Sequence, residues 1–173
     1  MWIRGSIDIK KNLNQTEDAR RAGRRKVIEN MDEAGMVVFA PQDVKSTITV
    51  FTDTSCGYCV KLHQEIAQTV AGGVKVRYLG FPRSGLNSSS GETLVSVFCA
   101  DNRQQAMTDA KMGIAIEPKT CQSQLDRQLE AAELVGVRGT PPIVMEDGTV
   151  LPGYVPAVEL VERSNRAAES VVS

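Results

Sequence analysis

The chain has 173 residues, 42% of them apolar, which suits one main domain with a sizeable core and a short appendage. Its formal net charge of −1 gives no global electrostatic case for binding nucleic acid or a membrane surface. No apolar run approaches the roughly 18 residues of a membrane span, and Met1-Trp2-Ile3-Arg4 lacks the apolar core of a secretory signal.

In chain order, Gly5 to Leu13 alternates weakly and reads as a short strand or extended arm. A helix start follows, with Thr16 as cap and Glu17 and Asp18 in the first turn. Its apolar positions to Met31 are sparse, as in a linker helix lying on a surface. Arg20, Arg21, Arg24, Arg25 and Lys26 make that helix basic. No aromatics interleave with them and Glu17 can pair with Arg21, so a solvated helix is preferred to a nucleic-acid site. Residues 1–35 thus read as arm and linker helix, and 36–173 as the main domain.

Within that domain Met36 to Ala40 and Ile48 to Thr52 read as strands, Cys56 to Ala71 as a helix stopped by Gly72-Gly73, and Val74 to Phe81 as a strand. This is a β-α-β unit of the expected size. A polar loop from Pro82 to Gly91 leads into helices over Glu92 to Met112 and Ser123 to Val135, a helical insert at about 86–135. Ile143 to Glu146 and Thr149 to Leu151 are short strands joined by Asp147-Gly148, a strong hairpin signal. Pro156 to Ala168 is a final helix, with a frayed tail from Glu169 to Ser173.

The chemistry concentrates in Cys56-Gly57-Tyr58-Cys59, at the junction of a strand and a helix. Unpaired N–H groups and partial positive charge at a helix N-terminus stabilise a thiolate, the species that attacks a disulfide. Cys56, nearest that terminus, is the candidate nucleophile, with the lower pKa and greater exposure; Cys59, one turn deeper, resolves the mixed disulfide. The alternatives are a permanent structural bridge or half of a zinc site. Zinc needs further Cys or His ligands at ordered spacing, and the chain has one histidine. No metal and no cofactor are therefore expected.

Three further features attach to this motif. Thr140-Pro141-Pro142 precedes the strand at Ile143; a cis Thr140–Pro141 bond beside the two cysteines would free the Thr140 backbone to pair with a substrate strand, whereas two trans prolines would make an ordinary turn. Cys99 and Cys121 suit a structural bridge worth roughly 3 kcal/mol, and a second redox pair is the less favoured reading. An even cysteine count with such a bridge indicates an oxidising compartment. With no signal visible, that address implies a mature chain or a fragment starting at Met1. His63, four residues after Cys59, could tune the thiols, though a surface role is preferred.

The segments FTDTSCGYCVKLHQE, VRYLGFPRSGL, GVRGTPPIV and DGTVLPGYVP, with the isolated Cys99 and Cys121, resemble the DsbC/DsbG family of periplasmic disulfide isomerases, DsbC most closely. The resemblance runs from about Val38 to the C-terminus. It implies an α/β thioredoxin-like fold with a helical insertion and a periplasmic thiol:disulfide oxidoreductase/isomerase. Cys56 would be the attacking thiol, Cys59 the resolving thiol, Thr140 and Pro141 the cis-proline element, Tyr58 a substrate contact, and Cys99–Cys121 the structural disulfide. The implied partners are secreted proteins with wrong disulfides and a membrane reductase of DsbD type. Family members carry a dimerisation domain before the linker helix; only about 15 residues precede Thr16. A monomer or weak dimer is expected of this chain, and a homodimer where an upstream domain exists. Val60 stands where many relatives have histidine. A DsbA-type oxidase is disfavoured by the Gly57-Tyr58 dipeptide, and a chaperone-like peptide-binding module is the rival from another class.

Overall fold

The computed structural model describes residues 2–136 and 141–172, with side chains from residue 16 to residue 171. Among the described residues five strands form one mixed sheet in the order β1-β3-β2-β4-β5. They are β1 (Val37–Phe39), β2 (Ser46–Thr52), β3 (Val74–Gly80), β4 (Ile143–Val144) and β5 (Val150–Leu151). β2 and β3 run parallel from Ser46↔Val74 to Thr52↔Gly80, and the other three pairings are antiparallel. The central strands are buried over most of their length because both faces of the sheet are covered, although threonines in β2 and Lys75 and Arg77 in β3 interrupt the apolar positions.

One face carries Ile48, Val50, Val76, Tyr78 and Ile143, buried with Leu62, Leu94, Val97, Met107 and Leu160 from the helices. The other carries Phe51, Leu79 and Val144 beneath Ile28, Ala131, Ala132 and Val135. The alternation of sides along β2 is what a period of two requires. The helices are α1 (Trp2–Glu29), α2 (Gly57–Gln64), α3 (Ile66–Ala71), α4 (Ser89–Phe98), α5 (Arg103–Lys111), α6 (Leu125–Val135) and α7 (Ala157–Val172). None among the described residues is long and apolar enough to cross a membrane.

Several expectations need correction. Residues Gly5 to Leu13 are helical, part of a single α1 from Trp2 to Glu29; no proline interrupts this stretch, and weak alternation does not outweigh a run that helix geometry tolerates. Arg21 pairs with Asp18 at 2.6 Å and Glu17 with Arg24 at 3.3 Å, in place of a Glu17–Arg21 pair. The helix after the two cysteines breaks at Glu65, whose carboxylate accepts the Ala157 N–H at 2.8 Å and the Tyr154 hydroxyl. The span Glu92 to Met112 is two helices. Cys99 ends α4, and the Asn102 side chain starts α5 by accepting the Gln105 N–H at 3.0 Å. α7 continues through the expected frayed tail to Val172.

The Asp147-Gly148 turn joins β4 to β5, closed by Gly148 N–H donating to Met145 O at 3.0 Å. Gly148 has a φ of 85°, and a Cβ there would lie 2.1 Å from the Arg21 carbonyl. Arg24 Nε donates to the Gly148 carbonyl at 2.7 Å. The second half of α1 is thereby seated on the hairpin, with Ile28 in the core beside α6.

Candidate functional site

β2 delivers the chain to the site. After Thr52 the backbone turns through Asp53, Thr54 and Ser55, and Cys56 caps α2. The Asp53 carboxylate is fully buried and holds this turn from both sides. One oxygen accepts the Ser55 N–H at 3.2 Å; the other accepts Arg83 N–H at 3.0 Å and Arg83 Nε at 3.3 Å. Phe81 N–H donates to Thr52 O at 2.8 Å, extending the β2–β3 pairing to the Phe81-Pro82-Arg83 loop. Two loops that are distant in sequence are thus tied at one carboxylate.

Cys56 and Cys59 are not joined in a disulfide. The Cys59 N–H donates to Cys56 Sγ at 3.3 Å, so the Cys56 sulfur occupies the position of an N-cap oxygen. Both residues are buried, Cys56 at 4% and Cys59 at 0% exposure. Cys56 is the more exposed of the two, but by little, because the cap geometry turns its sulfur towards the first helical turn. Burial pushes the Cys59 thiol up, against the pull of the Lys111 charge.

Beneath the thiols lies a polar cluster in the core. His63 is buried, with Nδ1 2.9 Å from the Tyr78 hydroxyl and Nε2 2.9 Å from Thr108 Oγ1. Burial, and then the Lys111 charge, lowers His63 to about 4, so it is neutral near pH 7. The surface reading of His63 is therefore corrected: the helical face it shares with Cys59 points inward. Phe39 meets the His63 ring edge-on at 5.3 Å. Lys111, at the end of α5, is also buried; its Nζ donates to Thr52 Oγ1 and lies 5.5 Å from the Tyr78 ring centre.

The rim is different in character. Tyr58 is 63% exposed and stacks on Tyr154 at 6.2 Å, with Lys61 Nζ 4.8 Å from the Tyr154 ring. On another side an open groove of about 740 Å³ begins at Thr54 and Ser55 and is walled by Ser84, Ile114, Ile116 and Pro118. Pro141 is buried, and Pro142 O accepts the Phe51 N–H at 3.2 Å. With Val50 paired to Ile143, this directs Pro141 towards the Thr52 end of β2, from which the cysteines emerge. Thr140, and with it the Thr140–Pro141 bond, lies outside the described residues. Cys99 and Cys121 are disulfide-bonded, with Cα atoms 5.7 Å apart, tying the end of α4 to the segment before α6.

Sequence reasoning left Asp53, Lys111, Glu65 and Tyr154 without roles. Asp53 had a signal, a carboxylate just ahead of a helix-capping residue. Lys111 had almost none: its spacing of four from Met107 puts it on that helix's buried side. Among the described residues no cluster of His, Cys, Asp and Glu could hold a metal ion.

The geometry agrees with three comparisons. The family model described as a thioredoxin-like domain matches residues 33–168. The thiol:disulfide interchange protein DsbC of Dickeya dadantii is 42% identical over 73% of this chain and 53% of its own length. DsbC of Escherichia coli is 39% identical over 77% of this chain and 56% of its own. The chain spans about half the length of these curated relatives. Among solved structures, a disulfide interchange protein from Neisseria gonorrhoeae superposes with a TM-score of 0.68 at 23% identity, covering 78% of this chain and 99% of that one. The catalytic domain of Proteus mirabilis ScsC gives 0.67 at 22% identity, covering 88% and 98%. These two likenesses concern the fold.

Proposed function

This chain belongs to the thioredoxin-like domain family, and on that premise we propose that it is a thiol:disulfide interchange protein of DsbC type. The observation that carries the reading is the Cys59 N–H donated to Cys56 Sγ at a helix N-terminus, with Cys59 buried behind it. That arrangement favours a thiolate on Cys56 and keeps the second thiol in reserve.

The Cys56 thiolate attacks one sulfur of a substrate disulfide. The substrate S–S bond breaks, a mixed disulfide forms at Cys56, and the second substrate sulfur leaves as a thiolate. Two exits follow. A substrate thiolate attacks the mixed disulfide, giving a rearranged substrate and restoring Cys56. Alternatively Cys59, after losing its proton, attacks Cys56 Sγ; the substrate leaves reduced and Cys56–Cys59 closes as a disulfide. The second exit consumes the dithiol, so an external reductant must reopen it, the part assigned to a membrane reductase of DsbD type.

Substrates are disulfide-bearing secreted proteins met in the periplasm. Tyr58, with Tyr154 beside it, offers them an aromatic ledge and the groove beyond Ser55 a hydroxyl-lined channel, and Thr140 and Pro141 are assigned to substrate binding on the sequence pattern. The Cys99–Cys121 bridge serves as structure. As this chain the protein is a monomer or weak dimer. Isomerisation needs a substrate held through successive exchanges, so a second facing domain would favour the first exit and a lone domain the second.

Reduction of insulin by the purified chain tests the proposal. Cys56→Ala should abolish turnover, and alkylation of the reduced wild type at mildly acidic pH should label Cys56 ahead of Cys59. Turnover that survives Cys56→Ala, or equal labelling, refutes the assignment. Binding of unfolded chains without any turnover in the wild type would favour the chaperone-like module.

A further inference from the structure

Lys111 is a buried amine that donates to a hydroxyl and not to a carboxylate. It is 5% exposed, its hydrogen bond goes to the Thr52 hydroxyl, and among the described residues it makes no ion pair. The charged and titratable groups facing it are few. β2 and the turn after it supply Asp53, α2 supplies Cys56, Cys59 and His63, and β3 supplies Tyr78. Asp53 is committed to Ser55 and Arg83, while His63 is neutral and bonded to Tyr78 and Thr108. A hydroxyl and a ring face offset only part of the cost of burying a cation. The Asp53 carboxylate acts on it more weakly than the cysteines do, and the anion that can newly appear beside it is a thiolate of the cysteine pair.

We propose that Lys111 is the fixed counter-ion of the active-site thiols, holding the thiolate that forms when the Cys56–Cys59 disulfide is opened and so favouring the reduced pair. This rests on the reading that the pair cycles. An external dithiol supplies the two electrons: one of its thiolates attacks the disulfide and breaks the S–S bond, the second displaces the resulting mixed disulfide, and the donor leaves oxidised. Of the donor's two protons, one stays on Cys59. The other is taken up by Lys111 where it was neutral, or goes to solvent where Lys111 was already charged. The titrations run the same way. Burial lowers Lys111 to about 8 while Cys59, Cys56 and then Asp53 pull it upward, and the Lys111 charge opposes the upward push of burial on Cys59.

The test is Lys111→Met, which removes the charge at similar volume, with Lys111→Gln beside it to keep a donor for Thr52. Wild type and variants are equilibrated in glutathione mixtures, trapped by alkylation and weighed, and thiolate absorbance is followed against pH. Both variants should shift towards disulfide by about tenfold or more, with the first thiol titrating about one pH unit higher. Both should fold, since replacing an unpaired buried charge by an apolar group is commonly neutral or stabilising. A wild type that cycles, with variants whose equilibrium and titration match it within about twofold, overturns the Lys111 role and leaves the interchange reading intact. A wild type that does not cycle overturns both. Failure of both variants to fold assigns Lys111 to architecture and overturns the proposal as well.

Discussion

Asp53→Asn is nearly isosteric, yet it should cost roughly 2–4 kcal/mol, because an amide cannot accept on both sides. One carboxylate oxygen receives Ser55 N–H and the other receives Arg83 N–H and Nε. An asparagine satisfies one of these sides and turns an NH₂ group towards a donor on the other. Losing a buried hydrogen bond to a charged acceptor is worth about 1.5–3 kcal/mol, and the opposed donors add to it. The Arg83–Asp53 ion pair contributes less, since the Arg83 side chain is 47% exposed; solvent screening holds it under about 1 kcal/mol. Arg83→Ala, which keeps the backbone N–H, separates the two contributions and should cost less than the asparagine variant. Urea unfolding of the reduced protein measures both. An asparagine variant within about 0.5 kcal/mol of wild type at unchanged slope would refute the claim that this carboxylate holds the turn.

Two further outcomes follow from the same structure. Replacing Cys99 and Cys121 together by serine frees a loop spanning 22 positions and should lower stability by about 3 kcal/mol; in wild type mild reductant should open Cys56–Cys59 first. Unchanged urea midpoints, or a bridge that opens as readily as the active-site pair, would contradict this. His63 titrates at about 4 in the folded state against 6.5 as its ordinary value, with burial the main cause. Between those values the unfolded chain binds a proton that the folded chain does not. His63 therefore contributes stability that is full above about pH 6.5 and is lost as pH falls towards 4, at most about 3 kcal/mol. In His63→Gln that part of the acid profile should flatten, and an identical profile would rule the contribution out.

The strand, cysteine pair, helix and strand at the centre of the fold were legible because each signal there is local. β2 is a run of apolar and β-branched residues, the cysteines punctuate it, and β3 alternates cleanly. The Asp147-Gly148 hairpin was legible for the same reason. The helix breaks were not. Glu65 ends α2 because Tyr154 and Ala157, far along the chain, recruit its carboxylate. His63 and Lys111 were missed on related grounds. A histidine and a lysine on polar helices read as solvent-facing until α2 and α5 close over Tyr78. Periodicity reports which side of a helix is apolar. It does not report that a polar side chain on that side will find a hydroxyl waiting in the core.

The Cys99–Cys121 bridge encloses α5 within its loop, and α5 carries Thr108 and Lys111 to the floor beneath the thiols. One thiol pair is therefore built on ground that the other fastens down. For the chemistry proposed, these pairs must be kept at opposite oxidation levels in one small domain: the outer bridge closed, the inner pair open. A newly made chain is first a customer of an oxidising system and only afterwards a supplier of thiolate. Whatever oxidises the outer pair must spare the inner one, or a reductant must later undo it alone. The order in which the four sulfurs are treated during maturation is thus part of how this site acquires its properties.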